Sequence, residues 1–196
     1  MEVQRGLPGV YLIGDSITGS YAQKVGRILD GEAVVEVRPE NGEDSRNLLT
    51  RIPRWLSGKH FTLIHFNCGL HDIKRSHGND ATLVPIEAYE VNLRRIVDML
   101  SGYADILVWA CTTPVVDGQL DPSKNFNRFN RDVDAYNRCA EAVMVECGVP
   151  VNDLHQAVLN VGRDRCISED GVHMTPKGIH VLSLQAAAAI RGALGS

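Results

Sequence analysis

The sequence has little that points to a membrane or to a nucleic acid as a partner. No apolar run approaches the roughly 20 residues of a transmembrane helix, and the first residues lack the charged and apolar regions of a signal peptide. The formal net charge is -4 at pH 7, and no run of like charges forms a basic footprint. We therefore expect a cytoplasmic protein that binds neither nucleic acid nor a membrane, unless a leader has been removed.

Signatures of metal sites and disulfide frameworks are also missing. The 5 cysteines are an odd number, and neither a two-residue cysteine spacing nor a histidine cluster gives the intervals of zinc ligands. We interpret the cysteines as reduced and structural, and we expect neither a metal nor an organic cofactor. Cys68, beside Gly69, is expected near the active site without a part in the chemistry.

Length and periodicity indicate one α/β domain over residues 1–196. With 196 residues, of which 44% are hydrophobic, the chain can fill one core but is too short for two typical domains. Strand-like and helical segments alternate, which predicts a three-layer α/β/α fold with a flavodoxin-like, five-stranded parallel sheet of order 2-1-3-4-5. The predicted strands are 10–13, 33–37, 61–67, 106–110 and 149–151, and the predicted helices are 21–29, 45–56, 87–100, 130–147 and 176–194.

Two fragments at opposite ends of the chain carry the residue types of nucleophilic acyl transfer. Ser16 follows Gly14 and Asp15 at the end of the first predicted strand, where open α/β sheets bind ligands. Asp170 and His173 share a predicted turn just before the last helix. A serine hydroxyl needs an imidazole to take its proton and a carboxylate to orient that imidazole, so we predict a triad of Ser16, His173 and Asp170. The alternative is that both fragments only stabilise a helix start and a local turn.

Four segments, in this order along the chain, resemble the SGNH (GDSL-type) hydrolases. Residues 14–17 are similar to the first block of that family, and residues 41–45 contain the glycine of the second. Residues 69–72 match the third block, and residues 170–173 match the Asp-x-x-His of the fifth. The resemblance implies the SGNH hydrolase fold and a serine esterase for small-acyl esters, with O-acetylated carbohydrates as the first choice of substrate.

The resemblance also implies an oxyanion hole built from the backbone amides of Ser16 and Gly42 and a side chain of the third block. In that block the chain has His71 where the family usually has asparagine. An imidazole also donates a hydrogen bond, so we predict His71 as the third donor, with a pH dependence that an amide would not give. The alternative is a structural histidine bonded to the loop backbone.

Four further residues are predicted to bind the substrate because they adjoin the crevice. Asp15 and Asp72 follow strands at its edge, and Phe126 and Arg128 lie in the long loop 112–129. An aromatic face beside a guanidinium suits a sugar, although a solvated loop with its phenylalanines packed on the protein body is equally consistent. For Asp72, a structural role in bonding loop amides is the favoured alternative.

Several functions remain open at this point. Within the family, a lysophospholipase, thioesterase or arylesterase would have a more apolar acyl pocket. A catalytically silent carbohydrate-binding domain would fit the missing asparagine, and an acyltransferase would share the acyl-enzyme. The sequence does not determine the oligomeric state.

Overall fold

The computed structural model describes residues 6–37, 40–117 and 124–195, and strands and helices alternate along them. The strands are β1 (Gly9–Ile13), β2 (Val34–Val37), β3 (Phe61–Phe66), β4 (Arg75–Ser76), β5 (Ala104–Ala110), β6 (Phe126–Asn127) and β7 (Val151–Asn152). The helices are α1 (Ser16–Ile28), α2 (Ser45–Leu56), α3 (Ile86–Ser101), α4 (Asn130–Glu146), α5 (Leu154–Val161), α6 (Arg163–Cys166) and α7 (Pro176–Leu194).

The main sheet has 5 strands in the order β2-β1-β3-β5-β7, and every pair in it is parallel. Helices α1, α5, α6 and α7 contact one another in one group, and α2, α3 and α4 do so in another. Covering both faces explains why β1 and β3 are nearly continuous apolar runs. The predicted three-layer α/β fold and its strand order are confirmed.

The core is continuous across the sheet and is dominated by fully buried side chains of β1, β3 and β5. Phe66 and Trp109 meet edge to face with ring centroids 5.2 Å apart. In the registered pairs, Ile13 lies beside Phe66, and Phe66 lies beside Trp109. Strands β1, β3 and β5 therefore terminate at the same edge of the sheet, and the loops that follow them meet at that edge.

Helix boundaries differ from the sequence prediction where side chains cap the first turn. Helix α1 begins at Ser16 rather than near residue 21, because Asp15 caps it by accepting from the Ile17 amide at 2.9 Å. Asp44, not Ser45, caps α2. The last strand of the sheet lies slightly later than predicted, and the short helices α5 and α6 were not predicted at all.

A second, two-stranded sheet joins the loop that follows β3 to the loop that follows β5 at the carboxyl edge. Strand β4 pairs antiparallel with β6, and the Arg75 guanidinium donates to both carboxylate oxygens of Asp132 at 2.7 Å. This pairing was not predicted, because two-residue strands leave no periodicity in a sequence. Residues 118–123 of the predicted loop 112–129 lie outside the described residues.

The described residues also bear on disulfides, metal ligands and membrane-spanning helices. The five cysteines, Cys68, Cys111, Cys139, Cys147 and Cys166, are free thiols. Within the described ranges, no three histidine, cysteine, aspartate or glutamate side chains gather as metal ligands do. None of the helices there combines the length and the apolar character that crossing a membrane requires.

Candidate active site

Ser16 stands where β1 ends and α1 begins, with an exposed side chain. The turn before it needs glycine, since a Cβ at Gly14 would lie 2.1 Å from the Thr18 Oγ1 atom. As the first residue of a helix, Ser16 has a backbone amide without an acceptor inside the helix. Its hydroxyl and its amide therefore lie at the same edge of the sheet.

The structure brings Ser16, His173 and Asp170 into one hydrogen-bonded chain. The Ser16 Oγ atom lies 3.0 Å from Nε2 of His173. On the other side of the ring, Nδ1 of His173 is hydrogen-bonded to the Oδ2 atom of Asp170. Because a carboxylate only accepts, Nδ1 carries a hydrogen and Nε2 is free to accept from the serine hydroxyl.

Asp170 is held as an ionised acceptor by the turn around it. Its Oδ1 atom accepts from the Ser168 hydroxyl at 2.9 Å and from the amides of Val172 and His173 at 3.0 and 2.9 Å. Although partial burial opposes ionisation, the His173 imidazole and these donors keep the pKa of the carboxyl below its usual value. The residue is thus held as an anion at neutral pH.

Helix α7 fixes the far side of the same turn. Thr175 caps the helix by accepting from the Gly178 amide at 3.1 Å, and Pro176 occupies the first turn. A Cβ at Gly178 would lie 2.2 Å from the Cys166 carbonyl oxygen, which accepts from the Thr175 amide at 2.9 Å. His173 is therefore tied to a rigid helix start rather than to a free loop.

Gly42 requires a correction to the predicted oxyanion hole. Its amide donates to the carbonyl of Gly14 at 2.8 Å, and a Cβ there would lie 2.9 Å from the same oxygen. The following residue, Glu43, has φ 57, and its amide donates to the Asn41 side chain at 2.8 Å. The Gly42 amide is thus already engaged, which leaves the Ser16 amide and the His71 side chain as predicted donors.

His71 lies in the loop after β3, and its Nδ1 atom is 2.9 Å from the Nζ atom of Lys74. Burial, followed by the charges of Lys74 and Arg128, lowers its pKa to about 3. The ring is consequently neutral at neutral pH, so the predicted pH dependence from this donor does not fit its surroundings there.

Two of the predicted substrate-binding residues are buried beneath the site. Asp72 accepts from the Ser45 hydroxyl at 2.5 Å and from the Ser45 amide at 3.0 Å, and burial raises its pKa to about 7. Asp15 is only 4% exposed, serves as the cap of α1, and has its pKa raised by burial. The structural alternative is therefore the right one for Asp72, and Asp15 is also removed from the surface that a substrate would touch.

Phe126 and Arg128 lie beside the His71 loop. The Arg128 Nε atom donates to the Leu70 carbonyl at 2.5 Å, and its Cζ atom is 5.0 Å from the centroid of the Phe126 ring. The Lys74 ammonium is 4.7 Å from the same centroid. All these side chains are partly exposed, so the aromatic ring and two cations line the rim next to His71.

Comparison with known proteins decides the family. A model of the GDSL-like Lipase/Acylhydrolase family matches residues 12–181, which include Ser16, His71, Asp170 and His173. The chain belongs to this family. It is accordingly an acylhydrolase that acts on ester bonds. No match was found among curated proteins.

Solved structures that resemble this acylhydrolase share its fold at low sequence identity. A GDSL-like lipase from Bacteroides thetaiotaomicron matches with a TM-score of 0.74 and 17% identity, covering 95% of this chain and 89% of the other. A lipase/acylhydrolase from Enterococcus faecalis matches with 0.74 and 20%, covering 95% and 96%. A catalytic mutant of an acetylxylan esterase from Geobacillus stearothermophilus matches with 0.74 and 19%, covering 96% and 95%.

Sequence reasoning about this acylhydrolase missed Lys74 and Ser168. Lys74 stands three residues after His71, a spacing that a turn brings into contact. Ser168 supports Asp170 from two residues away, a local Ser–Asp pattern that is too common to stand out. Tyr89 supports the start of the third block, since its hydroxyl donates to the Cys68 carbonyl at 2.9 Å.

Proposed function

We propose that this acylhydrolase is a serine esterase that removes small acyl groups, acetyl above all, from carbohydrate esters. The observation that carries the proposal is the unbroken hydrogen-bonded chain from the exposed Ser16 hydroxyl through His173 to Asp170, with Ser16 Oγ 3.0 Å from the imidazole. Only a base within this reach, itself oriented by an acid, makes a serine hydroxyl a competent nucleophile.

In the proposed mechanism, the Ser16 oxygen attacks the ester carbonyl while Nε2 of His173 takes its proton. Asp170 stabilises the imidazolium that forms, and the carbonyl oxygen becomes an oxyanion. His173 then gives the proton to the departing alcohol, which leaves an acyl-enzyme on Ser16. Water enters, transfers a proton to the same nitrogen and attacks the acyl carbon. The bond from that carbon to the Ser16 oxygen then breaks, His173 returns the proton to this oxygen, and the acid is released. The sequence of steps requires neither a metal nor an organic cofactor.

The oxyanion would be stabilised by the Ser16 amide and the His71 side chain. The amide points from the first turn of α1, where the partial positive charge of the helix favours an anion. Loss of one such donor costs about 10²–10³ in turnover in serine hydrolases. Because the Gly42 amide is bonded to the Gly14 carbonyl, His71 would contribute a larger share of the oxyanion stabilisation than in a hole with three donors.

The carbohydrate part of the proposal is supported by the rim and by the structural neighbours. Phe126 presents a partly exposed ring beside Arg128, and a sugar ring stacks on such a face while its hydroxyls bond polar groups. One of the similar structures is an acetylxylan esterase. Phe126 and Arg128 therefore stay the proposed contacts of the alcohol portion of the substrate.

Two measurements test the proposal. A fluorophosphonate should label the wild-type protein on Ser16 and leave Ser16→Ala unlabelled, whereas absence of an adduct would favour a silent carbohydrate-binding domain. In a series of p-nitrophenyl esters, activity should fall steeply as the acyl chain exceeds about four carbons, because a site selective for acetyl does not bury the apolar surface of a longer chain. Sustained activity on long chains would instead indicate a lysophospholipase or thioesterase.

The natural substrate class is tested with acetylated xylan and acetylated monosaccharides, with Ser16→Ala as the blank. We expect acetate release by the wild type and none above background by the variant. Product analysis with an added sugar acceptor separates hydrolysis from acyl transfer, since the two reactions share the acyl-enzyme and differ in what attacks it.

A further inference from the structure

Lys74 contacts one ring nitrogen of His71, and the direction of that hydrogen bond is fixed by chemistry. The Nζ atom lies 2.9 Å from Nδ1. An ammonium group has three donors and no acceptor, so Nδ1 must accept and cannot itself carry a hydrogen. In a neutral imidazole, the single ring hydrogen then resides on Nε2.

The charges that face His71 keep the ring neutral. Lys74, Arg128 and His173 each disfavour its protonation, whereas Asp44 favours it. Together with burial, these groups hold the pKa of His71 at about 3. The imidazole of His71 therefore stays an uncharged donor at neutral pH.

The hydrogen on Nε2 is also available. No hydrogen bond from this nitrogen is made within the described residues, and it is not among their buried polar atoms without a partner. His71 lies in the loop after β3, the strand next to β1, and Ser16 follows β1 directly. The loop thus carries a free N–H donor at the edge where the nucleophile stands.

We propose that Lys74 is a positioning residue: it holds His71 in the Nε2–H tautomer, so that a neutral imidazole acts as the oxyanion donor where related hydrolases have an asparagine amide. This inference rests on the proposed function for its catalytic consequence. Lys74 makes no contact with the substrate in this role. It acts by deciding which ring nitrogen of His71 holds the hydrogen.

Nitrogen-15 spectra of the imidazole groups test the tautomer directly. The signals of His71 are assigned by their loss in His71→Asn, and we expect a neutral Nε2–H ring in the wild type at neutral pH. In Lys74→Met, which keeps an unbranched side chain but removes the ammonium beside Phe126, the two tautomers should mix, and the pKa of His71 should rise because a repelling charge is gone. Lys74→Arg should retain the wild-type pattern. An Nδ1–H or charged ring in the wild type, or an unchanged tautomer in Lys74→Met, would overturn the proposal.

A double-mutant cycle tests the catalytic consequence. Lys74→Met should lower kcat by about 10-fold or more, short of the 10²–10³ expected for loss of a whole oxyanion donor, with a smaller effect on KM. In a His71→Asn background the same change should have little effect, because an amide has no tautomer to fix. Equal losses in the two backgrounds would show that Lys74 acts by another route. Lys74→Gln, whose amide can still donate to Nδ1, should restore part of the rate if Lys74→Met proves poorly folded.

The two experiments separate this inference from the proposed function. If Ser16 proves unreactive while His71 shows the Nε2–H tautomer, the esterase proposal fails and the structural role of Lys74 stands. If Ser16 is labelled and His71 shows the Nδ1–H tautomer, the inference about Lys74 fails alone.

Discussion

Asp170 illustrates at the residue scale how a tautomer, more than a charge, determines what a histidine can do. In Asp170→Asn, the Oδ1 atom still accepts from Ser168 and from two backbone amides, so the turn should persist. The new amide group would donate to Nδ1 of His173 and so place the ring hydrogen on Nε2, facing Ser16. We expect kcat to fall by about 10⁴, the magnitude known for the equivalent change in a serine protease, with little change in melting temperature.

The matched control for that change is Glu169→Gln, which removes an exposed carboxylate one residue away. It should leave kcat close to the wild-type value. An equal loss in both variants would mean that the charge of the loop, rather than the orientation of His173, supports activity.

A second prediction concerns Cys68, the thiol nearest to the third block. Burial raises the pKa of this thiol well above its ordinary value, so it is neither a thiolate nor accessible. Cys68→Ala should therefore retain most esterase activity and lose about 1 kcal/mol of stability. Iodoacetamide should modify the exposed Cys147 in the native protein and leave Cys68 intact. Rapid alkylation of Cys68 with loss of activity would contradict this assignment.

At the scale of elements, the start of α7 packs closely against the Cys166 backbone and so holds the turn that carries Asp170 and His173. Gly178→Ala would place a Cβ 2.2 Å from the Cys166 carbonyl oxygen, which cannot move without the segment that leads to Asp170. We expect a loss of about 1–3 kcal/mol of stability, and a lower kcat because His173 shifts relative to Ser16. Thermal unfolding and kinetics on p-nitrophenyl acetate measure the two effects.

The same helix provides the control, Gly192→Ala. No atom lies within 4 Å of a Cβ at Gly192, and the residue is exposed, so alanine should stabilise the helix by about 0.5–1 kcal/mol. If Gly178→Ala behaves like Gly192→Ala, the close packing at Cys166 does not constrain the turn.

The elements also show what a sequence can reveal about this fold. The apolar runs of β1, β3 and β5 indicated buried parallel strands, because such strands leave continuous hydrophobic stretches, and the strand order followed from the flavodoxin-like topology. The first turn of α1 was missed because Thr18, Gly19 and Ser20 are poor helix formers, and the capping bond from Asp15 outweighs their propensities.

The candidate site was predictable to the extent that its parts are local or part of a family pattern. Ser16, Asp170 and His173 stand in short motifs, and the structure brings them together as expected. The hydrogen bond from the Gly42 amide to the Gly14 carbonyl joins segments that are far apart in the sequence and adjacent only in the folded protein. No local sequence pattern therefore predicts it. The contact between Lys74 and His71 depends in turn on the path of a loop.

At the scale of the whole molecule, buried titratable groups link stability to pH. The pKa of Asp72 is about 7 in the folded chain, against about 3.9 for an unfolded aspartate, so the folded state binds the extra proton between these values. Its contribution to stability is present at low pH and is lost as the pH rises towards 7. His65, buried with a pKa of about 4, acts in the opposite sense, since its contribution is lost as the pH falls.

Asp72→Asn isolates one of these contributions. Relative to the variant, the wild type should lose stability with rising pH by up to about 1.4 kcal/mol per pH unit between pH 4 and 7. Urea unfolding of both proteins at several pH values measures the difference. A constant difference across that window would mean that the carboxyl is already ionised in the folded protein, held by its bonds to Ser45.

The pairing of β4 with β6 has a consequence for anyone who wishes to redesign the specificity of this enzyme. The loop that carries His71 and Lys74 is joined to the loop that carries Phe126 and Arg128 by this strand pairing. The salt bridge between Arg75 and Asp132 joins the second loop's helix to the first loop as well. Replacing either loop alone with that of a relative would disrupt the strand pairing and the salt bridge between them. Both loops must therefore be exchanged together. We also expect that, among relatives with different substrates, the two loops have changed together.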